Sequence, residues 1–121
     1  MTVSALEAGK GEIWLARLDP VLGHEQGGER GGERPCLIIS DDRFNRSRAQ
    51  LVIVLPITRT DRAIASHVRV EPPDGGLKAL SFVKCEDVHS ISHQRLFSRW
   101  GKVGSNVLAE VEDRLRILMR L

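Results

Sequence analysis

The sequence lacks the motifs through which many enzymes bind metals, nucleotides or acyl groups. It contains no HExxH, no Gly-rich phosphate loop followed by Lys-Ser/Thr, no paired CxxC and no GxSxG nucleophile elbow. Each of these devices needs particular residue types at a fixed spacing. Metal hydrolysis, nucleotide binding and acyl transfer by these routes are therefore poorly supported.

Cysteines and long apolar runs are also scarce. The 121 residues include only Cys36 and Cys85, each within an apolar segment and without a secretory signal. Buried free thiols in a reducing compartment are the expected state. The longest apolar run, Leu51–Leu55, is much shorter than the roughly 18 residues that a membrane span requires. We therefore expect a soluble, cytoplasmic protein that makes no use of a membrane.

The positive charge is carried mainly by arginine and is unevenly distributed. The chain has 14 arginines and four lysines, and its formal net charge is +2. Six arginines fall between residues 43 and 69, where Asp61 is the single acid. The forked guanidinium suits phosphate oxygens, so this excess is compatible with a nucleic-acid ligand. Ordinary solvated faces of an arginine-rich protein account for the composition equally well.

The apolar pattern predicts one small domain made mainly of strands. A chain of this length has room for a single core. Residues 1–10 lack periodicity and are predicted to be a loose leader before a domain at 11–121. Strands are predicted near 12–18, 35–40, 51–55, 67–71 and 80–85, with the second and third buried on both faces. Their Gly- and Pro-rich connections, including a polar turn at 41–50, favour a small, strongly curved barrel.

Helical spacing is found only towards the end of the chain. Apolar residues recur there at helical intervals: Val107, Leu108, Val111, Leu115 and Leu118. Ser105 is predicted to cap this helix, and a shorter helical turn is predicted from Ser92 to Phe97.

A polar, glycine-rich loop precedes the second strand and brings several reactive side chains close to the sheet. It contains a direct GGER-GGER duplication and ends at Arg34, while Thr58 follows the next buried strand. An arginine beside a hydroxyl can stabilise the charge that develops on a phosphoryl group. A surface arginine and a threonine that satisfies a strand end fit the same residues, so both interpretations stay open at this point.

Several separate segments, taken in order, match a known pattern. They are Gly11-Glu-Ile-Trp-Leu15, Leu18-Asp-Pro20, Gly23-His-Glu-Gln-Gly-Gly28, Arg34-Pro-Cys-Leu-Ile-Ile-Ser40, Asp42-Arg-Phe-Asn45, Leu55-Pro-Ile-Thr58, Ser81-Phe-Val83 and Asp87-Val-His-Ser-Ile91. In content, order and spacing, from Gly11 to the C-terminal helix, the chain resembles the MazF/PemK toxins.

The resemblance implies a mainly β fold with helices, an SH3-like twisted small barrel of the MazF/PemK/CcdB type with a C-terminal helix. It implies a homodimeric toxin of a type II toxin–antitoxin system that cuts single-stranded RNA without a ribosome, a metal or a cofactor. The RNA 2′-hydroxyl would attack the adjacent phosphorus, leaving a 2′,3′-cyclic phosphate or a 3′-phosphate and a 5′-hydroxyl. The expected partner is a MazE-like antitoxin with an acidic C-terminal tail, and operator DNA is an expected ligand of the toxin–antitoxin complex.

By position, the resemblance assigns catalysis to Arg34 and Thr58. Five residues separate Gly28 from Arg34 where the family usually has one, so Arg30 is a rival for the catalytic position and otherwise an RNA contact. We favour Arg34 because Pro35 and the strand after it fix its backbone. Since arginine stays protonated, it is expected to stabilise the phosphorane rather than to act as a base.

Other residues are assigned to RNA binding or proton transfer. Gln26 and Ser81 match positions that line the RNA groove in such toxins, and Glu86 is placed with them. The segment from Glu86 to Ser90 departs from the family pattern of Asp/Glu-Gln-hydrophobic-Arg-Thr, which is expected to alter base preference. His24 is the candidate for proton transfer because an imidazole titrates near neutrality. The remaining histidines are expected on strand faces or the surface: His67, His89 and His93.

Two other functions share the expected fold. A CcdB-like toxin would bind DNA gyrase without catalysing a reaction, but such toxins end in a Trp-Gly-apolar tail. Here the only Trp-Gly pair, Trp100-Gly101, precedes the last helix. A catalytically silent barrel that only binds a partner is the third possibility.

Overall fold

The computed structural model describes residues 7–18 and 32–121 of the chain. In these ranges it contains seven strands and two α-helices. In chain order they are β1 (Glu12–Arg17), β2 (Glu33–Ile38), α1 (Asp42–Asn45), β3 (Leu51–Thr58), β4 (His67–Val70), β5 (Ser81–Lys84), β6 (His89–Ser92), β7 (Leu96–Lys102) and α2 (Ser105–Met119). Single 3₁₀ turns lie at Asp74–Gly76 and His93–Arg95. The predicted β-rich fold with a C-terminal helix is confirmed.

All strand pairs are antiparallel, and β3 lies at the centre of the sheet. The strand order is β4-β5-β3-β2-β1-β7, and β6 also pairs with β3. One edge of β3 pairs with β2, while its other edge pairs first with β6 and then with β5. Within the described ranges the sheet is open, because β4 and β7 are its outer strands. The predicted small barrel therefore takes the form of an open seven-stranded sheet here.

Successive residues of the central strands pack on opposite faces of the sheet. Ile13 and Leu37 belong to one buried cluster, whereas their chain neighbours Trp14 and Cys36 belong to a second. This follows from the two-residue period of a strand. The first cluster is covered by α2, whose Val111 is completely buried. The predicted burial of the second and third strands on both faces is thus confirmed.

Three local predictions differ from the structure. The predicted helical turn at Ser92–Phe97 contains only the 3₁₀ turn, and β7 begins at Leu96. The polar turn at 41–50 contains α1, which Asp41 caps by accepting a hydrogen bond from the backbone N–H of Arg43 at 2.9 Å. The cap of α2 is Gly104 rather than Ser105.

The part of the predicted leader that the structure describes packs against the domain. Ala8 is 1% exposed and lies in the second buried cluster, and its carbonyl oxygen accepts a hydrogen bond from the Asn45 amide. The Lys10 ammonium pairs with Glu112 of α2 at 2.6 Å. These contacts join the start of β1 to α1 and to the last helix.

No helix in the described part of the chain is both long enough and apolar enough to span a bilayer.

Candidate active site

The strand register brings Arg34 and Thr58 together. In the β2–β3 ladder Cys36 pairs with Pro56 and Leu37 with Leu55. In an antiparallel pair, each step back along one strand matches a step forward along the other. Continued by two residues beyond the Cys36–Pro56 pair, this register sets Arg34 across from Thr58. Two residues that are 24 positions apart in sequence are thus expected at the same end of the sheet.

Both residues line a cleft of about 830 Å³. Its floor comes from the adjoining ends of β2 and β3, and its opposite wall comes from the segment 76–79 and from β7. The lining residues are Gly32, Glu33, Arg34, Pro35, Ile57, Thr58, Arg59, Thr60, Gly76, Leu77, Lys78, Ala79, Ser81, Arg99 and Trp100. The cleft is therefore built from four separate parts of the chain.

Cations dominate the charged groups of this cleft. They are Arg34, Arg59, Lys78 and Arg99. The single lining carboxylate, Glu33, is 3.2 Å from the guanidinium of Arg17, and Arg99 pairs with Glu12 at 3.2 Å. Among the described residues, no carboxylate pairs with the other three cations. The cleft therefore presents uncompensated positive charge, which attracts phosphate groups.

The hydroxyl of Thr58 is held in place and keeps its own proton. Thr58 Oγ1 accepts a hydrogen bond from the backbone N–H of Thr60 at 3.1 Å. A hydroxyl oxygen can accept while its O–H donates elsewhere. The Thr58 proton thus remains free for an acceptor in the cleft, such as a phosphate oxygen.

Ser81 also lies in the cleft, but its hydroxyl proton is already used. The side chain is 3% exposed, and its Oγ donates to the carbonyl oxygen of Ala79 at 2.9 Å. This bond holds the wall segment next to β5. An incoming group could reach only the acceptor side of the Ser81 oxygen.

Glu86 does not join this cleft. It follows β5, where its carboxylate accepts a hydrogen bond from the Ser66 hydroxyl at 2.7 Å and lies 3.0 Å from Nε2 of His67. Partial burial alone would raise the pKa of Glu86, but hydrogen bonds from Ser66, its own backbone and His67 lower it overall. The structure gives Glu86 a role in fixing the start of β4.

Three of the predicted site residues lie outside the described residues: His24, Gln26 and Arg30. The other histidines are found on strands or turns, away from the cleft. His67 and His89 lie on β4 and β6, and His93 is buried in a 3₁₀ turn. The positions of His67 and His89 agree with the expected strand faces, whereas the burial of His93 in a turn differs from the expectation.

The two thiols are buried and free, as predicted. Burial raises the pKa of Cys36 to about 12, although the nearby Arg34 opposes the shift. Burial also raises the pKa of Cys85 to about 12, with Glu86 adding to the effect. Neither thiol is ionised near neutral pH, so neither is a nucleophile of the site.

Four cationic or aromatic residues of the cleft lining are not assigned to the site by the sequence analysis. Arg59 belongs to the arginine-rich stretch, which indicates positive charge but does not show which of its arginines lies in the site. The other three come from segments far along the chain: Lys78, Arg99 and Trp100. Only the packing of the 3₁₀ turn against β7 brings them to the Arg34 side.

The open antiparallel sheet, its C-terminal helix and the cationic cleft define a small protein that can bind a phosphodiester. Residues 9–119 match the family model described as the PemK-like, MazF-like toxin of type II toxin–antitoxin systems. The chain therefore belongs to the PemK/MazF toxin family.

Individual relatives agree with this assignment. The chain is 33% identical to endoribonuclease PemK of Escherichia coli over 112 residues, which cover 91% of this chain and 80% of that protein. It is 27% identical to endoribonuclease EndoA of Bacillus subtilis over 113 residues, or 93% and 94% of the two chains. A solved endoribonuclease in complex with its cognate antitoxin, from a mycobacterial species, has the same fold with a TM-score of 0.74 at 21% identity, covering 94% and 96%.

Proposed function

We propose that this chain is the endoribonuclease toxin of a type II toxin–antitoxin pair and that it cuts single-stranded RNA in the Arg34–Thr58 cleft. The observation that carries the proposal is that these two residues line one cleft, where no carboxylate of the described residues pairs with Arg34, Arg59 or Lys78. Family membership and endoribonuclease relatives support the reaction class. We infer that the protein works in the cytoplasm, because its proposed substrate is RNA and because free thiols persist in a reducing compartment.

The proposed reaction is an internal displacement at phosphorus. The RNA 2′-oxygen forms a bond to the adjacent phosphorus, and the bond from phosphorus to the 5′-oxygen breaks. The 2′-hydroxyl loses its proton and the departing 5′-oxygen gains one, giving a 2′,3′-cyclic phosphate and a 5′-hydroxyl. DNA, which has no 2′-hydroxyl, cannot react in this way.

Arg34 and Thr58 have separate roles in this step. The guanidinium of Arg34 stabilises the negative charge that builds on the phosphoryl oxygens. The Thr58 hydroxyl donates its free proton to one of those oxygens, and the Thr60 backbone keeps it aimed. We propose His24 for proton transfer, with Gln26 and Arg30 of the same loop as RNA contacts.

The proposed assembly is a homodimer that an acidic antitoxin tail inhibits. The C-terminal end of α2 leaves Ile117, Leu118, Met119 and Leu121 exposed, by 66%, 46%, 50% and 84% respectively. Several large apolar side chains exposed at one helix end favour a protein partner. A carboxylate-rich tail laid in the cationic cleft would compete directly with RNA phosphates.

The test is cleavage of a long transcript by the purified protein in EDTA without ribosomes. Fragments with 5′-hydroxyl ends are expected from the wild type, far fewer from Arg34→Ala, and none from DNA of the same sequence. Intact RNA together with inhibited gyrase supercoiling would instead establish the CcdB-like alternative.

A further inference from the structure

We propose that Trp100 is a base-binding residue of this nuclease: its indole forms a platform on which one base of the RNA stacks beside the scissile phosphate. The inference rests on the proposed function of the cleft and assigns that cleft its base-binding wall. It concerns one residue, and it is tested separately from the cleavage reaction.

Exposure sets Trp100 apart from the other tryptophan. Trp14 is 1% exposed and belongs to the core, whereas Trp100 is 40% exposed and lines the cleft. Within the described ranges, Trp100 is the only aromatic residue on that lining. A large apolar ring left open to water inside a cationic cleft gains by burial against a flat, uncharged partner.

The register of β7 places a bulge at Trp100. Ile13 pairs with Gly101 and Trp14 pairs with Arg99, so Trp100 is an extra residue between two pairs of the β1–β7 ladder. Such a bulge re-aims a side chain relative to its neighbours. Trp100 therefore does not follow the alternation of side chains between the two faces of β7.

Close packing fixes the backbone that carries the indole. A Cβ on Gly76 would overlap the carbonyl oxygen of Trp100, and a Cβ on Gly101 would lie 2.7 Å from the carbonyl carbon of Gly75. The 3₁₀ turn thus rests directly on the backbone of β7. A backbone that is fixed before binding reduces the conformational entropy lost when a base stacks on the indole.

The charges around the indole match a single strand of nucleic acid. Lys78 and Arg99 are on the same wall as Trp100, and Arg34 is on the floor. Cations that follow the phosphates, with an aromatic ring for the bases, form the usual binding surface for single-stranded RNA. One indole ring stacks on one base, so Trp100 would bind the base at a single position of the cut site.

The experiment couples the residue to a position in the RNA. The cut site is mapped with wild-type protein, and a short RNA that spans it is made with a 2′-deoxynucleotide before the scissile bond to prevent cleavage. Abasic nucleotides are then placed at each position in turn. Affinities are measured for the wild type, Trp100→Ala, Trp100→Phe and the control Phe97→Ala.

We expect Trp100→Ala to weaken binding about tenfold or more, and Trp100→Phe to restore most of it. One abasic position should weaken the wild type by a similar factor and leave Trp100→Ala unchanged. RNA should alter the tryptophan fluorescence of the wild type but not that of Trp100→Phe, whose remaining Trp14 is buried. Phe97 is 47% exposed on the same strand but lies outside the cleft, so Phe97→Ala should bind normally.

The inference is wrong if Trp100→Ala binds RNA as the wild type does, or if its loss of affinity is the same at every abasic position. It is also wrong if Trp100→Ala loses affinity only for the acidic antitoxin, since the ring would then serve a peptide. Failure of the proposed function is distinguishable, because the wild type itself would then neither bind nor cut RNA.

Discussion

Gly76 lies against the carbonyl oxygen of Trp100 with no space for a side chain between them. Its backbone φ is +80°, in the region that residues with a Cβ rarely adopt. Both constraints therefore require glycine at this position. The contact fixes the distance between the 3₁₀ turn and β7, and thus the shape of one wall of the cleft.

Gly76→Ala is expected to destabilise the protein by about 2–4 kcal/mol, since positive-φ strain adds to overpacking against backbone. Denaturant unfolding monitored by circular dichroism measures the change. Gly104→Ser is the matched control, because a Cβ on Gly104 would make only an ordinary contact with the Asp74 side chain and a serine hydroxyl can cap α2. It should be as stable as the wild type or slightly more stable. Equal stability of both variants would show that the turn moves freely away from β7.

Arg34→Ala is expected to lower kcat by about a hundredfold or more while RNA affinity stays within a few-fold, because it removes a transition-state contact. Arg30→Ala should only weaken binding modestly and reduce its salt dependence, as the loss of one phosphate contact does. Single-turnover cleavage of a short RNA separates the two effects. An inactive Arg30→Ala together with an active Arg34→Ala would identify Arg30 as the catalytic arginine.

Thr58→Val keeps the shape of the side chain and removes its hydroxyl. We expect kcat to fall by roughly ten- to a hundredfold with little change in affinity, since one donor to the phosphoryl oxygens is lost. Thr58→Ser retains the donor and should keep most of the activity. Full activity in Thr58→Val would show that the threonine only completes the turn to Thr60.

The stability of the protein in acid should depend on Glu86. Its folded pKa lies below the ordinary value of 4.5, so its ionised contacts stabilise the fold above pH 4.5 and are lost as pH falls through the lower, folded pKa. Below pH 4.5, the stability of Glu86→Gln should decrease less with falling pH than that of the wild type. Ser66→Ala should show an intermediate decrease. The midpoint of urea unfolding, measured across this range, gives the answer. The assignment would be contradicted if the unfolding midpoint fell equally with pH in the wild type, Glu86→Gln and Ser66→Ala.

Binding of the antitoxin should weaken as salt increases, because an acidic tail would pair with exposed cations of the cleft. Arg59→Ala should reduce both the affinity and its salt dependence. Arg46→Ala is the control, since Arg46 is an exposed arginine at the end of α1 and outside the cleft. Titration calorimetry at several salt concentrations makes the comparison. Salt-independent binding would point to an interface of apolar contacts instead.

Much of the central sheet could be predicted from the sequence, because its strands are buried on both faces. A short, unbroken apolar run rich in β-branched residues, such as Leu51–Leu55, is typical of a buried strand. β7 could not be found this way. Bulges at Phe97 and Trp100 break its alternation, and most of its residues are exposed. Because buried and exposed residues do not alternate along β7, its sequence does not indicate a strand.

The site was only partly accessible to sequence reasoning. Arg34 and Thr58 were assigned through a family resemblance, and their register across β2 and β3 now gives a physical reason for the pair. Glu86 was grouped with them, yet it binds Ser66 and His67 away from the cleft. The wall that carries Lys78 and Trp100 depends on glycine packing, which no local pattern reveals.

The pairing of β1 with β7 joins segments made early and late in synthesis. Contacts between such distant segments form slowly, because a long loop must close before they are gained. The paired ends of β2 and β3, which carry Arg34 and Thr58, are closer together in sequence than β1 and β7 are. We therefore expect the β7 wall to be added late in folding, so that the cleft is completed only in the last stage of folding.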